Sequence, residues 1–196
     1  MLWADTPRAL ALVTAPVSEP LSYAQAKAFL RLPNDTEEGL VLGLITAARM
    51  KVEADTGLML LTQTWDLSFD AFPEDAIRPP CCPLQSVTTI KTTSSAGVES
   101  TLSATNYQVD LASQPPRIVL SDAGAWPTDL RATSAITVRC VAGYVSDQAI
   151  PAPLLRAMEQ ILAVYYMQRA SAAIILPPRW LGYDALIAPY RLQGGF

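Results

Sequence analysis

Between residues 18 and 56 the apolar positions recur every three to four residues, and that spacing predicts two helices. In "PLSYAQAKAFLRLP" Ser22 stands where an N-cap belongs, with Gln25 three positions on as its capping-box partner. Ala24, Ala28, Phe29 and Leu32 then share a face until Pro33 stops the helix, giving a span of 22–32. A second start follows with Asn34 or Asp35 as cap and Glu37 and Glu38 at the positive helix end. Leu40, Val41, Leu44, Ile45, Ala48 and Val52 carry the stripe to Gly57, a C-terminal stop, so this helix is placed at 35–56.

From about 60 to 145 the period falls to two. In "TQTWDLSFD" Trp65, Leu67 and Phe69 alternate with polar residues, as a half-buried strand requires. "SVTTIKT", a turn at Ser94 to Gly97, "VESTL", "YQVDL", "RIVL" and "AITVRCVAG" continue in the same style. No helical pattern is interleaved, which excludes a Rossmann unit and predicts a small antiparallel sheet or barrel-like lobe.

Helical spacing returns after Pro151 and Pro153, where Leu154, Leu155, Met158, Ile161, Leu162, Tyr165 and Tyr166 form a wide apolar stripe over 152–169. The remainder, 171–196, is broken by Pro177, Pro178 and Pro189 but is too apolar and aromatic for a disordered linker, so it should dock on its own subunit or on a neighbour. Residues 1–17 read as an extended arm: Asp5 sits where a secretion signal would be basic, and Pro16 follows the short apolar run. The fold expected is α+β. A helical bundle of the N-terminal helix pair and the long C-terminal helix carries a mid-chain antiparallel β lobe in one domain over 18–170, followed by an extended C-terminal tail.

Composition sharpens this picture. The 196 residues are 51% hydrophobic and 16% charged, with a mean hydropathy of +0.23, which is apolar for a lone soluble chain. The surplus should be buried against other subunits or partners. No window offers the roughly 18 uninterrupted apolar residues of a membrane span; the best, 154–169, holds Arg156, Glu159, Gln160, Gln168 and Arg169. A net charge of −4 without any basic run excludes a protein that grips the nucleic-acid backbone. It suits a surface that DNA slides past, and synthesis inside the cell is the expectation.

The chain has no histidine, which removes Ser-His-Asp and Cys-His nucleophiles and the common catalytic zinc sites. Cys81, Cys82 and Cys140 supply three thiols, one short of a structural zinc site, and two of them are adjacent and point to opposite sides of an extended chain. Packing at the lead into a strand is the reading for "RPPCCPLQSV". Asp66, Asp70, Glu74 and Asp75 cluster in sequence as an acid/base or metal site would, yet Asp66 and Asp70 fall on the polar side of an amphipathic strand. Phosphate-binding glycine motifs are missing from the sequence. No catalytic, cofactor-binding or metal-ligating residue is assigned; the alternative is an enzyme or small-molecule binder using the β-lobe carboxylates.

The order of "SEPLSYAQAKAFLRLP", "VEADTGLMLLTQTWDLSFDAFP", "RPPCCPLQSVTTI", "YQVDLASQPPRIVL", "ITVRCVAGY", "IPAPLLRAMEQILAVYY" and "ALIAPYR", over about residues 10–192, resembles the phage head-tail connector (adaptor) proteins of tailed phages, prophages and gene transfer agents. The resemblance implies a virion structural protein without cofactor. It forms a ring of about twelve copies under the portal protein, joins portal to stopper or tail-completion proteins, and surrounds a channel through which DNA passes unbound. It implies a location at the particle neck, with assembly in the host cytoplasm and no membrane. In such rings the C-terminal tail commonly engages the portal, which makes Trp180, Tyr183, Leu186, Ile187, Tyr190 and Arg191 candidate portal contacts; aromatic and arginine side chains are the usual anchors of an interface.

Overall fold

The computed structural model describes residues 7–113, 115–169 and 181–192. Contacts divide them into two compact units: the described residues of Met1–Ala15 with Thr62–Gly143, and those of Pro16–Leu61 with Tyr144–Phe196.

The first unit is all β apart from a single 3-10 turn at Ala104–Asn106, and every strand pairing in it is antiparallel. Strands β1 (Ala9–Thr14), β2 (Gln63–Phe69), β4 (Leu84–Thr93), β5 (Glu99–Thr101) and β8 (Ile136–Ala142) make one sheet in the order β1-β2-β8-β4-β5. Strands β3 (Ala76–Ile77), β6 (Tyr107–Asp110) and β7 (Arg117–Leu120) make a second, in the order β3-β7-β6. The period of two decides which face is buried. In β8, Ile136, Val138, Cys140 and Ala142 are inside while the residues between them are half-buried. Register then matches Leu67 to Val138 and Phe69 to Ile136, so β2 and β8 bury their apolar sets together. On the β4 side, register shifts at Leu84/Ser86 and Val87/Thr89 absorb two extra residues.

Two of these strands go beyond the sequence reading. "ALALVT" lies in the stretch expected to be an extended arm, and it pairs with β2 as the edge of the larger sheet. The two-residue strand β3 is too short for periodicity to reveal. The lobe itself is two sheets rather than one.

The second unit is helical. α1 (Tyr23–Leu30) has both halves of its capping box: Ser22 Oγ accepts from the Gln25 amide at 3.3 Å and Gln25 Oε1 accepts from the Ser22 amide at 2.8 Å. α2 (Glu38–Thr56) begins later than Asn34 or Asp35 would set it. Asn34 spends its side chain on the Thr36 amide, in a turn, and Asp35 accepts from the Tyr23 hydroxyl and Lys27 Nζ. Gly57 ends the helix in the left-handed conformation, φ 75°, with its N–H on the Glu53 carbonyl. α3 (Ala152–Met167) follows, and α4 (Leu181–Ile187) runs into a 3-10 turn at Ala188–Tyr190. α2 packs on α3, and α1 and α4 each lie against both. Val41, Ile45 and Val52 of α2 and Leu154, Met158 and Leu162 of α3 have no exposure, each contributing up to about 1.5–3 kcal/mol. No described helix is long and apolar enough to cross a membrane.

Candidate assembly surface

The C-terminal segment, expected to be extended and to dock on its own subunit or on a neighbour, is mostly helical over 181–192 and lies on the body of its own unit. Tyr183 is buried and its hydroxyl donates to Asp55 Oδ2 at 2.7 Å, while Lys51, one turn back on α2, donates to the same carboxylate at 2.5 and 2.7 Å. Burial, reinforced by the Asp55 carboxylate, pushes the Tyr183 phenol far above its ordinary value. Ile187 is fully buried. The Leu192 amide donates to the Thr56 carbonyl at 2.9 Å, satisfying a C-terminal group of α2, and the Leu192 side chain lies against Gly57.

Of the candidate portal contacts, Tyr183 and Ile187 are turned inward and buried within their own unit, because α4 is itself amphipathic and its apolar side completes the core formed by α2 and α3. Leu186 and Tyr190 are half-buried, and Arg191 is exposed with an ion pair to Asp184 at 2.7 Å. Trp180 lies outside the described residues.

α2 also holds a charge network that the sequence pattern did not reveal. Arg49, 7% exposed, donates from Nε to Glu19 at 2.8 Å and from Nη1 to Glu53 at 2.7 Å. Glu53 also accepts from the Leu60 amide at 2.9 Å, tying the loop after α2 to the helix. A heptad-style reading finds Arg49 and Glu53 at i, i+4, but not Glu19, thirty residues earlier.

At the end of α3, Tyr166 donates to Glu37, and Arg169 pairs with Glu37 at 3.3 Å while lying over the Tyr166 ring at 4.2 Å. The hydrogen bond to Glu37 raises the Tyr166 phenol. Leu32, Pro33, Asn34, Thr36, Glu37 and Tyr166 line a cavity of about 390 Å³. Glu37 is already committed to Tyr166 and Arg169, so the cavity offers no free acid or base.

Of the clustered β-lobe carboxylates, Asp66, Asp70 and Asp75 are likewise occupied, while Glu74 is exposed. Asp66 and Arg139 face each other in the β2–β8 register and form a bidentate pair, both contacts at 2.7 Å. Asp70 accepts from the Ser134 amide and from Arg8 Nε, each at 2.8 Å, and the amide first, then the guanidinium, holds its carboxyl below the ordinary range. Asp75 pairs with Arg78. Among the described residues no group of three or more His, Cys, Asp or Glu is arranged to hold a metal.

Cys81, Cys82 and Cys140 are free and buried. The contact with Cys140, together with burial, drives the Cys81 thiol far upward; burial first, then Cys140, pushes Cys82 up to about 11. That environment keeps Cys81 and Cys82 as protonated thiols, while the contact with Cys81 draws the Cys140 thiol down. "RPPCCPLQSV" does lead into a strand, β4, and the thiols fill the interior behind it.

No protein-family model and no curated protein matches the sequence. Solved structures do. A chain in the neck of an empty gene transfer agent (GTA) particle, computed with C6 symmetry, superposes with a TM-score of 0.77 at 25% identity, covering 94% of this chain and 96% of that one. A chain of the virion of a native GTA particle gives 0.76 at 24% identity, covering 94% and 95%. A chain in the neck of a native GTA particle, computed with C12 symmetry, gives 0.72 at 25% identity, covering 94% and 96%. The protein is similar to a GTA neck component.

That similarity extends over both units, since 94% of the chain takes part. It accords with the resemblance to connector proteins drawn from the order of the sequence segments.

Proposed function

We propose that this protein is a non-catalytic structural component of the neck of a phage-like particle, a head-tail connector that assembles with copies of itself into a ring around the DNA channel. The ring sits under the portal protein, has about twelve copies, and passes the load on to stopper or tail-completion proteins. The observation that carries the reading is the likeness along 94% of the chain to chains from GTA necks solved with C6 and C12 symmetry. Supporting it are the apolar, charge-poor composition and a net charge of −4, which lets DNA pass without adhering. In the contact with the portal, Leu186, Tyr190 and Arg191 are the candidates, together with Trp180; Tyr183 and Ile187 set the segment in place.

Electron microscopy of particles from producing cells tests this. A ring of this protein at the neck, and headful particles without tails when its gene is deleted, are the expected results. Particles that assemble completely without it would sink the proposal. The reading as an enzyme of the β lobe is tested separately by Asp66→Asn: a connector keeps its assembly function after a modest loss of stability.

A further inference from the structure

The outward side of α2 carries no charge for three turns. Gly39, Leu40, Leu42, Gly43, Ala47 and Met50 lie on it, and the larger ones are open to solvent: Leu40 is 41% exposed, Leu42 45% and Met50 58%. Of the charged residues that flank it, Arg49 is engaged with Glu19 and Glu53 on one side and Lys51 with Asp55 on the other, while Glu38 is exposed at its N-terminal end.

The two glycines on this face have no reason to be glycine inside this chain. Glycine is among the poorest residues for a helix interior, and alanine among the best. Gly39 and Gly43 do not have the positive φ that would demand glycine. A Cβ placed on either meets no atom within 4 Å. A helix that forgoes a side chain where its own molecule leaves open space is one that another backbone can approach closely.

We propose that this side of α2 is where a second copy of the same chain packs in the neck ring, the neighbour's backbone seated over Gly39 and Gly43 between Leu42, Met50 and Leu40. The inference rests on the neck reading above. Three observations favour a second copy over any other occupant. The face itself is neutral and the exposed charge at its end, Glu38, is acidic, so it offers nothing to DNA. Interfaces between copies of one chain are the more apolar kind. The similar chains come from necks with six-fold and twelve-fold symmetry, in which each copy meets the next through two different surfaces.

The test uses the full-length chain with Gly39→Ala and Gly43→Ala together. Alanine suits the isolated helix better, so the thermal midpoint should stay at or above that of the wild type, while ring formation in particles falls at least tenfold. A variant that is as heat-stable as the wild type and still forms rings overturns the inference. A second measurement places a photo-crosslinking residue at Met50 in assembling particles: covalent dimers and higher ladders of this chain support it, and adducts within one chain or with a different neck protein overturn it. Absence of the wild-type protein from the neck sinks the neck reading itself, and this inference with it; presence in the neck with the wrong crosslink sinks the inference alone.

Discussion

The Tyr183 hydroxyl donates to the Asp55 carboxylate at 2.7 Å, joining two residues 128 positions apart. That bond fastens the C-terminal segment to the helix that Lys51 and Asp55 belong to, and it fixes which candidate contacts remain outside. Tyr183→Phe should destabilise the protein by about 1.5–3 kcal/mol, the usual worth of a hydrogen bond to a charged group, read from urea unfolding. The phenol also sets a pH dependence. Its folded value is raised above the ordinary 10.0, so its contribution is complete below pH 10 and is lost above, where the unfolded chain ionises and the folded one resists. Tyr183→Phe should therefore lessen the alkaline loss of stability; an unchanged slope would contradict the bond.

Ile187, fully buried, should cost about 2–5 kcal/mol when cut to alanine. Arg191→Ala should cost less than about 0.5 kcal/mol, because its ion pair with Asp184 is exposed. The two separate folding from docking: if the segment engages the portal, Arg191→Ala lowers retention in purified particles with an unchanged melting temperature.

Arg49→Met should be among the most destabilising single changes, by about 3–5 kcal/mol, since it leaves the Glu19 and Glu53 carboxylates in a buried site without their cation. Thermal unfolding checks it. A loss under 1 kcal/mol would mean the network is solvated.

Acid stability should depend on Asp70. Its folded value lies below the ordinary 3.8, so the stabilisation is present above that value and disappears as pH falls through the folded one. Asp70→Asn should flatten the pH 5 to pH 2 limb of an acid-unfolding curve, and an identical limb would rule the assignment out.

The three cysteines should be silent to a thiol reagent in the native protein and all react on unfolding, because Cys81 and Cys140 have no exposure and Cys82 only 5%. Fast labelling at neutral pH would show that the interior behind β4 opens.

Local pattern made much of this protein legible. The Ser22–Gln25 capping box, the Gly57 stop and the alternation in β2 and β8 follow from the spacing of neighbouring residues, and the structure has them all. Elements whose existence depends on distant partners were not legible. β1 is a strand because β2 offers it an edge, and α4 is a helix on an apolar bed that α3 provides together with α2, the latter more than a hundred positions away. Asn34 and Asp35 looked like caps and became turn and ion-pair partners, since a carboxylate or amide takes whichever donor the fold brings nearest.

The sequence by itself determined helix and strand type, the lack of histidine chemistry and the apolar surplus that demands partners, because periodicity and composition are properties of the chain alone. Only the tertiary structure decided that Asp66, Asp70 and Asp75 of the β lobe were already paired, that Tyr183 and Ile187 faced inward, and that Gly39 and Gly43 looked onto open space. Each of those is a matter of which groups meet across long stretches of chain, and burial and hydrogen bonding exist only once they have met.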